Sequence, residues 1–230
     1  MNDEALLPPE GFRQRGPLPR ATRLVLIRHG ECVANAKGLA GGPLGDGGLT
    51  DLGRAQATAL AARLSLTGEL SDASAFYTST LPRAIETGAI VFPAINAKLA
   101  PTEDEALGEL GVGEADGLSW TEVQARYVMP DWSRDPHATN VPGGESLMGF
   151  FTRCVNAIDT IVARHRNELV VLVVHGGFIE QAMKHYQGLG GAVRLRPRIE
   201  NCSMTELEYG FEGGRTRLLR YNDLSPIGVA

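Results

Sequence analysis

Two apolar segments of strand length, far apart in the sequence, each end in a histidine, and this repeated arrangement constrains the fold most strongly. The first segment is Leu24–Ile27, followed by Arg28 and His29; the second is Leu169–Val174, followed by His175. Runs rich in Val, Ile and Leu are typical of central parallel strands that are buried on both faces. Because parallel strands end at the same edge of a sheet, the pattern predicts that the two histidines lie close together.

Helical periodicity separates the predicted strands. Thr50 is a predicted N-cap for one helix, Pro82 suits the first turn of a second, and two more helices follow around Phe150–Val162 and Phe178–Met183. A predicted hairpin, residues 203–209 and 215–221 with a turn at 212–214, ends the chain. This alternation predicts an α/β fold: a three-layer sandwich with a mixed, mainly parallel central sheet flanked by helices.

The sequence predicts one domain with two additions. Residues 1–22 contain four prolines among charged residues, which predicts a flexible N-terminal arm. Residues 23–225 form the predicted domain, and an irregular stretch around 118–141 is predicted to be a small inserted cap. The arm has no apolar core of the kind that signal peptides carry.

Charge and cysteine content exclude several classes of function. The net charge of -5 disfavours nucleic acid and anionic membranes as partners, because both require a basic surface. The three scattered cysteines suggest neither a disulfide framework nor a zinc site, so we expect a cytoplasmic protein without a cofactor. A monomer and a homodimer both remain open.

Four side chains near the ends of predicted strands could form an anion site. Arg28, His29 and His175 directly follow strands, and Arg83 lies in the first turn of the helix after the next strand. Guanidinium groups bind phosphate oxygens in bidentate fashion, and a helix N-terminus favours an anion. The residues therefore predict a phosphate site.

The same residues could also carry out chemistry. A neutral imidazole nitrogen can attack phosphorus, and Glu109, in the acidic loop after the third predicted strand, could protonate the leaving alkoxide. Each residue alone has a simpler interpretation: a structural histidine, a solvated arginine, or one acid among several. Their common position at strand ends favours a site. Metal binding is disfavoured because neither His29 nor His175 has a second histidine at metal-ligand spacing.

Seven segments together resemble the histidine phosphatase superfamily, which includes cofactor-dependent phosphoglycerate mutases and many small-molecule phosphatases. These segments are Leu26–Glu31, Leu49–Ala57, Tyr77–Thr87, Leu107–Leu110, Pro142–Ser146, Val174–Gly177 and Asn201–Ser203. The resemblance implies His29 as the phosphorylated nucleophile, with its Nδ1–H held by a backbone carbonyl, and Glu109 as the acid and base. It implies a phosphate pocket made of Arg28, Arg83, His175, Asn35 and the amide of Gly176.

The sequence departs from the family pattern at the edges of this site. Cys32 stands where serine or threonine is usual, Ala115 stands where many phosphatases carry tryptophan, and the loop at 36–48 has additional glycines, so its phosphate contacts cannot be assigned. Mutases of the family carry a longer insert with an adjacent basic pair, whereas this chain offers only the isolated Arg126 and Arg134. We therefore predict a metal-independent phosphomonoesterase for small phosphorylated metabolites. A phosphoglycerate mutase and a catalytically silent phosphate-binding module are the alternatives.

Overall fold

The computed structural model describes residues 21–139, 141–193, 195–210 and 216–224. Within these ranges the strands are β1 (Ala21–Arg28), β2 (Ala73–Thr78), β3 (Thr102–Glu103), β4 (Leu169–Val174), β5 (Met204–Gly210) and β6 (Thr216–Asp223). They form one sheet in the order β3-β2-β4-β1-β5-β6. β1 to β4 are mutually parallel, and β5 is antiparallel to both of its neighbours, so the predicted mixed sheet is confirmed.

Helices cover both faces of the sheet, as the three-layer prediction requires. The described helices are α1 (Val33–Lys37), α2 (Asp51–Thr67), α3 (Pro82–Asn96), α4 (Trp120–Arg126), α5 (Leu147–Arg164) and α6 (Gly176–Tyr186). α2 and α3 pack on the face that carries Val25 and Val171, and α5 and α6 pack on the face that carries Leu24 and Leu172. Alternate residues of β1 and β4 thus enter opposite cores, which explains why neither strand shows polar alternation.

α2 and α3 begin where the sequence predicts, and α5 begins at a cap of the same kind. The hydroxyl of Thr50 accepts a hydrogen bond from the amide of Gly53 at 3.0 Å, and Ser146 caps α5 through the amide of Gly149 in the same way. Pro82 occupies the first turn of α3, where a missing N–H costs no helical hydrogen bond. This places Arg83 in the opening turn of α3, beside the end of β4.

Three details differ from the sequence prediction. β1 begins at Ala21, inside the predicted arm, because the Thr22 hydroxyl donates to the carbonyl of His165 and fixes the strand start to the end of α5. The loop after His29 contains the short helix α1, capped by the Sγ of Cys32. β6 ends at Asp223, two residues beyond the predicted end at residue 221. The rest of the arm, residues 1–20, and the hairpin turn lie outside the described residues.

The predicted cap packs against the loop that follows α1. We call residues 38–48 the glycine loop. The amide of Ala40 donates to Leu118, and the amide of Trp120 donates to Gly38. A small apolar cluster of Ala40, Ala115, Val123 and Val141 lies between the two segments. The cap and the glycine loop therefore form one wall at the carboxyl edge of the sheet. Among the described helices, none has the length and apolar character needed to cross a membrane.

Candidate active site

The ends of β1 and β4 bring the two histidines together. Arg28 pairs in register with Val174, and the amide of His29 donates to the Val174 carbonyl at 3.0 Å. One residue beyond this point, the rings of His29 and His175 lie 5.1 Å apart between centroids, tilted by 56°. Both residues are almost fully buried. The predicted meeting of the two histidines is therefore present in the structure.

The ring of His29 is held through one nitrogen. Its Nδ1 lies 2.7 Å from the carbonyl of Gly30, and since a carbonyl only accepts, Nδ1 carries the proton. Nε2 is then left with its lone pair free. Burial first, and the positive charge of Arg83 second, lower the pKa of His29 well below its usual value. The ring is therefore neutral at physiological pH, the form that a nucleophile requires.

Arg83 is held on two sides. Its Nη1 donates to the carboxylate of Asp46 and to the carbonyl of Gly41, and its backbone amide donates to Oδ1 of Asp46 at 3.1 Å. Asp46 is fully buried, and it also accepts from the amide of Gly48 at 2.9 Å. One carboxylate from the glycine loop therefore fixes the position of this arginine.

Arg83 in turn fixes the tautomer of His175. Its Nε donates to Nδ1 of His175 at 3.2 Å, so Nδ1 accepts and the single ring proton of the neutral imidazole is on Nε2. Burial, with Arg83 as the second cause, lowers the pKa of His175 well below its usual value and keeps it neutral. His29 and His175 thus carry their protons on opposite nitrogens: Nε2 of His29 can attack and Nε2 of His175 can donate.

Two buried donors of this group have no partner among the described residues. They are Nε2 of His175 and Nε of Arg28, whose Nη1 donates to the carbonyl of Ile199 at 2.6 Å. Buried polar atoms in folded proteins are almost always hydrogen-bonded, so these two donors are available to an acceptor that enters the site. Two donors beside a free imidazole lone pair suit the oxygens of a phosphate group.

Glu109 lies at the same location and is held at both oxygens. Oε2 accepts from the amide of Gly177 in the first turn of α6 at 2.8 Å, and Oε1 accepts from the amide of Leu110 at 2.9 Å. The first turn of a helix favours a carboxylate. The structure thus brings Glu109 together with the arginines and histidines.

A cavity of about 450 Å³ opens above these groups. Arg28, His29, Arg83 and Glu109 line it, together with Asn35 in α1 and Gly176 at the start of α6. Its remaining wall is mainly apolar and includes Leu39, Leu110, Val112, Trp120, Pro197 and Ile199. All the predicted site residues therefore line the cavity or, in the case of His175, lie directly against a lining side chain.

Sequence reasoning missed three residues that organise the site. Asp46 holds Arg83; Asp116 accepts from the amides of Gly42, Leu44 and Gly45; and Arg153 in α5 contacts the loop of Glu109. Asp46 and Asp116 stand among glycines and other acids, where solvated carboxylates are common, and Arg153 stands on a helix whose other face carries the apolar stripe. No local pattern distinguishes them from surface charges.

Comparison with known proteins agrees with this geometry. Residues 24–224 match the family model of the histidine phosphatase superfamily (branch 1). The chain is 33% identical over 209 residues to phosphoglycerate mutase-like protein 4 of Arabidopsis thaliana, covering 89% of this chain and 86% of the relative. It is 32% identical to a metal-independent phosphoserine phosphatase of the same plant, covering 69% and 66%. It is 34% identical to a 2,3-bisphosphoglycerate-dependent phosphoglycerate mutase of Methylobacterium sp. strain 4-46, covering 84% and 93%.

A solved structure of a phosphatase has a similar fold. The mycobacterial glucosyl-3-phosphoglycerate phosphatase in complex with VO3 superimposes with a TM-score of 0.71 at 28% identity, covering 87% of this chain and 98% of that one. Phosphatases of small phosphorylated compounds are therefore among the proteins that the chain resembles, in agreement with the predicted class of activity. The chain belongs to the histidine phosphatase superfamily.

Proposed function

We propose that the protein is a metal-independent phosphomonoesterase that passes the phosphoryl group first to Nε2 of His29 and then to water. The observation that carries the proposal is the opposite protonation of the two histidines. The carbonyl of Gly30 leaves Nε2 of His29 with a free lone pair, and Arg83 leaves Nε2 of His175 as a donor without a partner among the described residues. The centroids of the two rings are 5.1 Å apart. One ring supplies the nucleophile and the other binds a phosphoryl oxygen.

The first step forms a bond between Nε2 of His29 and phosphorus and breaks the bond from phosphorus to the ester oxygen. Arg28, Arg83 and His175 donate to the non-bridging oxygens, with Asn35 and the amide of Gly176 at the rim. The departing alkoxide takes its proton from Glu109. In the second step Glu109 accepts a proton from water, the water oxygen attacks phosphorus, and the N–P bond breaks to release phosphate and regenerate neutral His29.

Metal independence is part of the proposal because the chain's own groups can supply the positive charge. Two guanidinium groups and a helix N-terminus face the cavity, which is the charge that a transferring phosphoryl group requires. The 32% identical plant relative described as a metal-independent phosphoserine phosphatase supports this view. We expect hydrolysis of p-nitrophenyl phosphate to proceed unchanged in excess EDTA. A loss of activity that Mg²⁺ or Zn²⁺ restores would contradict metal independence.

A phosphoglycerate mutase is the second candidate, and the 34% identical Methylobacterium relative favours it. Mutase action requires a cationic group for the substrate carboxylate, beyond the phosphate pocket. The two arginines of the predicted cap, Arg126 and Arg134, are exposed and pair with Glu122 and Asp131. Neither lines the cavity. Exchange of 3- and 2-phosphoglycerate that depends on a bisphosphoglycerate primer would favour the mutase.

The decisive experiment is a panel of phosphomonoesters assayed with the wild-type protein and with His29→Gln. We expect phosphate release by the wild type and at least a 1000-fold loss in His29→Gln, because no other described residue that lines the cavity carries an imidazole or a thiol. The matched control is His137→Gln, since His137 is exposed in the cap and away from the cavity. No turnover of any ester by a folded wild-type protein would refute the proposal and favour the silent module.

A cytoplasmic location and the absence of nucleic-acid, membrane and cofactor partners remain expectations from composition. The partner that the proposal requires is a small phosphorylated substrate. Its size is limited by the cavity of about 450 Å³, and its alcohol portion faces the apolar wall around Leu110 and Trp120.

A further inference from the structure

Arg153 is a half-buried arginine of α5 that reaches the segment carrying Glu109. Its Nη1 donates to the carbonyls of Ala106 at 2.9 Å and Gly108 at 3.0 Å, and its Nη2 donates to the carbonyl of Glu109 at 3.0 Å. Three hydrogen bonds from one guanidinium therefore fix the backbone between Ala106 and Glu109. The arginine itself is carried by an 18-residue helix packed on the core.

Glu145 completes this attachment on the other side. Its two carboxylate oxygens accept from Nε and Nη2 of Arg153 at 2.9 and 2.8 Å, and Oε2 also accepts from the amide of Gly111 at 3.1 Å. The Glu145 amide in turn donates to the Gly111 carbonyl at 2.8 Å. The Arg153–Glu145 pair thus holds the backbone at positions 106, 108, 109 and 111, on both sides of the carboxylate.

The segment has few other attachments near Glu109. Leu107 is fully buried, and the amides of Leu107 and Gly108 close a short turn on Asp104 and Glu105. From Gly108 to Gly111 the hydrogen bonds to other described segments come from the Arg153–Glu145 pair and from the amide of Gly177, which holds the carboxylate itself, and the side chain of Leu110 packs against the core. Without the pair, only the packing of Leu110 and the hydrogen bond to Gly177 would fix this part of the described backbone and the Glu109 side chain.

The pair is suited to this role because its charges cancel locally. Burial alone would lower the pKa of Arg153, but the hydrogen bond and charge of Glu145 outweigh it, and the pKa is raised. Arg153 therefore stays charged. A planar guanidinium can serve one carboxylate and three carbonyls at once, which a lysine ammonium with three donors on a flexible stem cannot do.

We propose that Arg153, with Glu145, is a positioning residue that aligns Glu109 for protonation of the leaving group. This inference rests on the function proposed above. It has a kinetic consequence that a merely structural role lacks. A good leaving group such as p-nitrophenolate departs without a proton, whereas an alkoxide needs the acid, so misalignment of Glu109 must affect alkyl phosphates far more than aryl phosphates.

The test compares kcat/KM for p-nitrophenyl phosphate and for glycerol 2-phosphate in the wild type, Arg153→Lys, Glu145→Gln and Glu109→Gln. We expect Arg153→Lys and Glu145→Gln to lower kcat/KM for the alkyl ester about 100-fold and for the aryl ester less than about 5-fold. Glu109→Gln should show the same selectivity, and adding Arg153→Lys to it should cause little further loss, because both changes remove one function. Arg164→Lys, at the exposed end of the same helix, is the control.

Thermal unfolding of each variant accompanies the kinetics, so that loss of folded protein is not read as loss of catalysis. The inference is overturned if folded Arg153→Lys and Glu145→Gln lower kcat/KM for both substrates by the same factor, or change kcat/KM for neither. It is also overturned if their full effect on kcat/KM is added to that of Glu109→Gln. Failure of the proposed function has a different signature, since the wild type would then hydrolyse neither ester.

Discussion

Replacement of Asp46 by asparagine tests the contact that organises the phosphate pocket. Asp46 is 0% exposed and Arg83 is 5% exposed, so neither charge is relieved by water. Asparagine retains an oxygen that can accept from the amides of Arg83 and Gly48, and what it loses is the negative charge facing Nη1 of Arg83. Removal of one partner of a buried ion pair costs about 3–5 kcal/mol, because the remaining charge stays buried and uncompensated.

The assay is urea unfolding of the wild type and Asp46→Asn in phosphate-free buffer. We expect Asp46→Asn to lower the free energy of unfolding by about 3–5 kcal/mol. Inorganic phosphate should stabilise Asp46→Asn more than the wild type, because the bound anion replaces the lost charge beside Arg83. Asp51→Asn, at a fully exposed position at the start of α2, is the matched control and should lower the free energy of unfolding by less than about 1 kcal/mol. A loss in Asp46→Asn below about 1 kcal/mol, the range of surface ion pairs, would refute the reasoning.

Two further predictions follow from the packing and charge of the site. A Cβ on Gly177 would lie 2.1 Å from Oε1 of Glu109, so Gly177→Ala should displace the acid and lower kcat/KM for an alkyl phosphate about 100-fold. Gly190→Ala is the control, because Gly190 has open space around it and its replacement should leave kcat/KM unchanged. Equal kcat/KM values for the two variants would contradict the placement of Glu109. Because burial and Arg83 lower the pKa of His29 below 6.5, the unfolded chain binds more protons than the folded protein below that pH. The contribution of His29 to the free energy of unfolding is fully present above pH 6.5. It declines as the pH falls below this value, by at most about 1.4 kcal/mol per pH unit. In urea unfolding between pH 7.5 and 5.5 without phosphate, His29→Asn should therefore show a smaller decline than the wild type, and identical slopes would exclude a depressed pKa.

The elements of the fold that the sequence predicted well are those fixed by local physics. β4 has no polar residue, and its length and position follow from hydrophobicity alone. Thr50 and Pro82 mark helix starts because these preferences depend on neighbours within a few residues. The convergence of His29 and His175 required one further step, the rule that parallel strands end at a common edge.

The parts that the sequence did not predict depend on contacts between distant segments. Arg83 and Asp46 are 37 residues apart, and Arg153 and Glu109 are 44 apart. An acidic residue in a glycine-rich loop has the same local pattern whether it faces water or a buried guanidinium. His165 illustrates the same limit: its neighbours in sequence are polar, yet its ring lies partly buried and its Nε2 is 2.8 Å from the hydroxyl of Tyr77.

Three backbone amides of the glycine loop donate hydrogen bonds to Asp116, and this has a consequence for exchanging segments between related proteins. Gly42 and Gly45 approach the Asp116 carboxylate so closely that a Cβ on either would lie within 2.9 Å of it. The glycine loop and the segment that leads into the cap therefore have to match each other in sequence. A cap transplanted from a homologue to change substrate preference should therefore include position 116 and should carry its own version of residues 38–48.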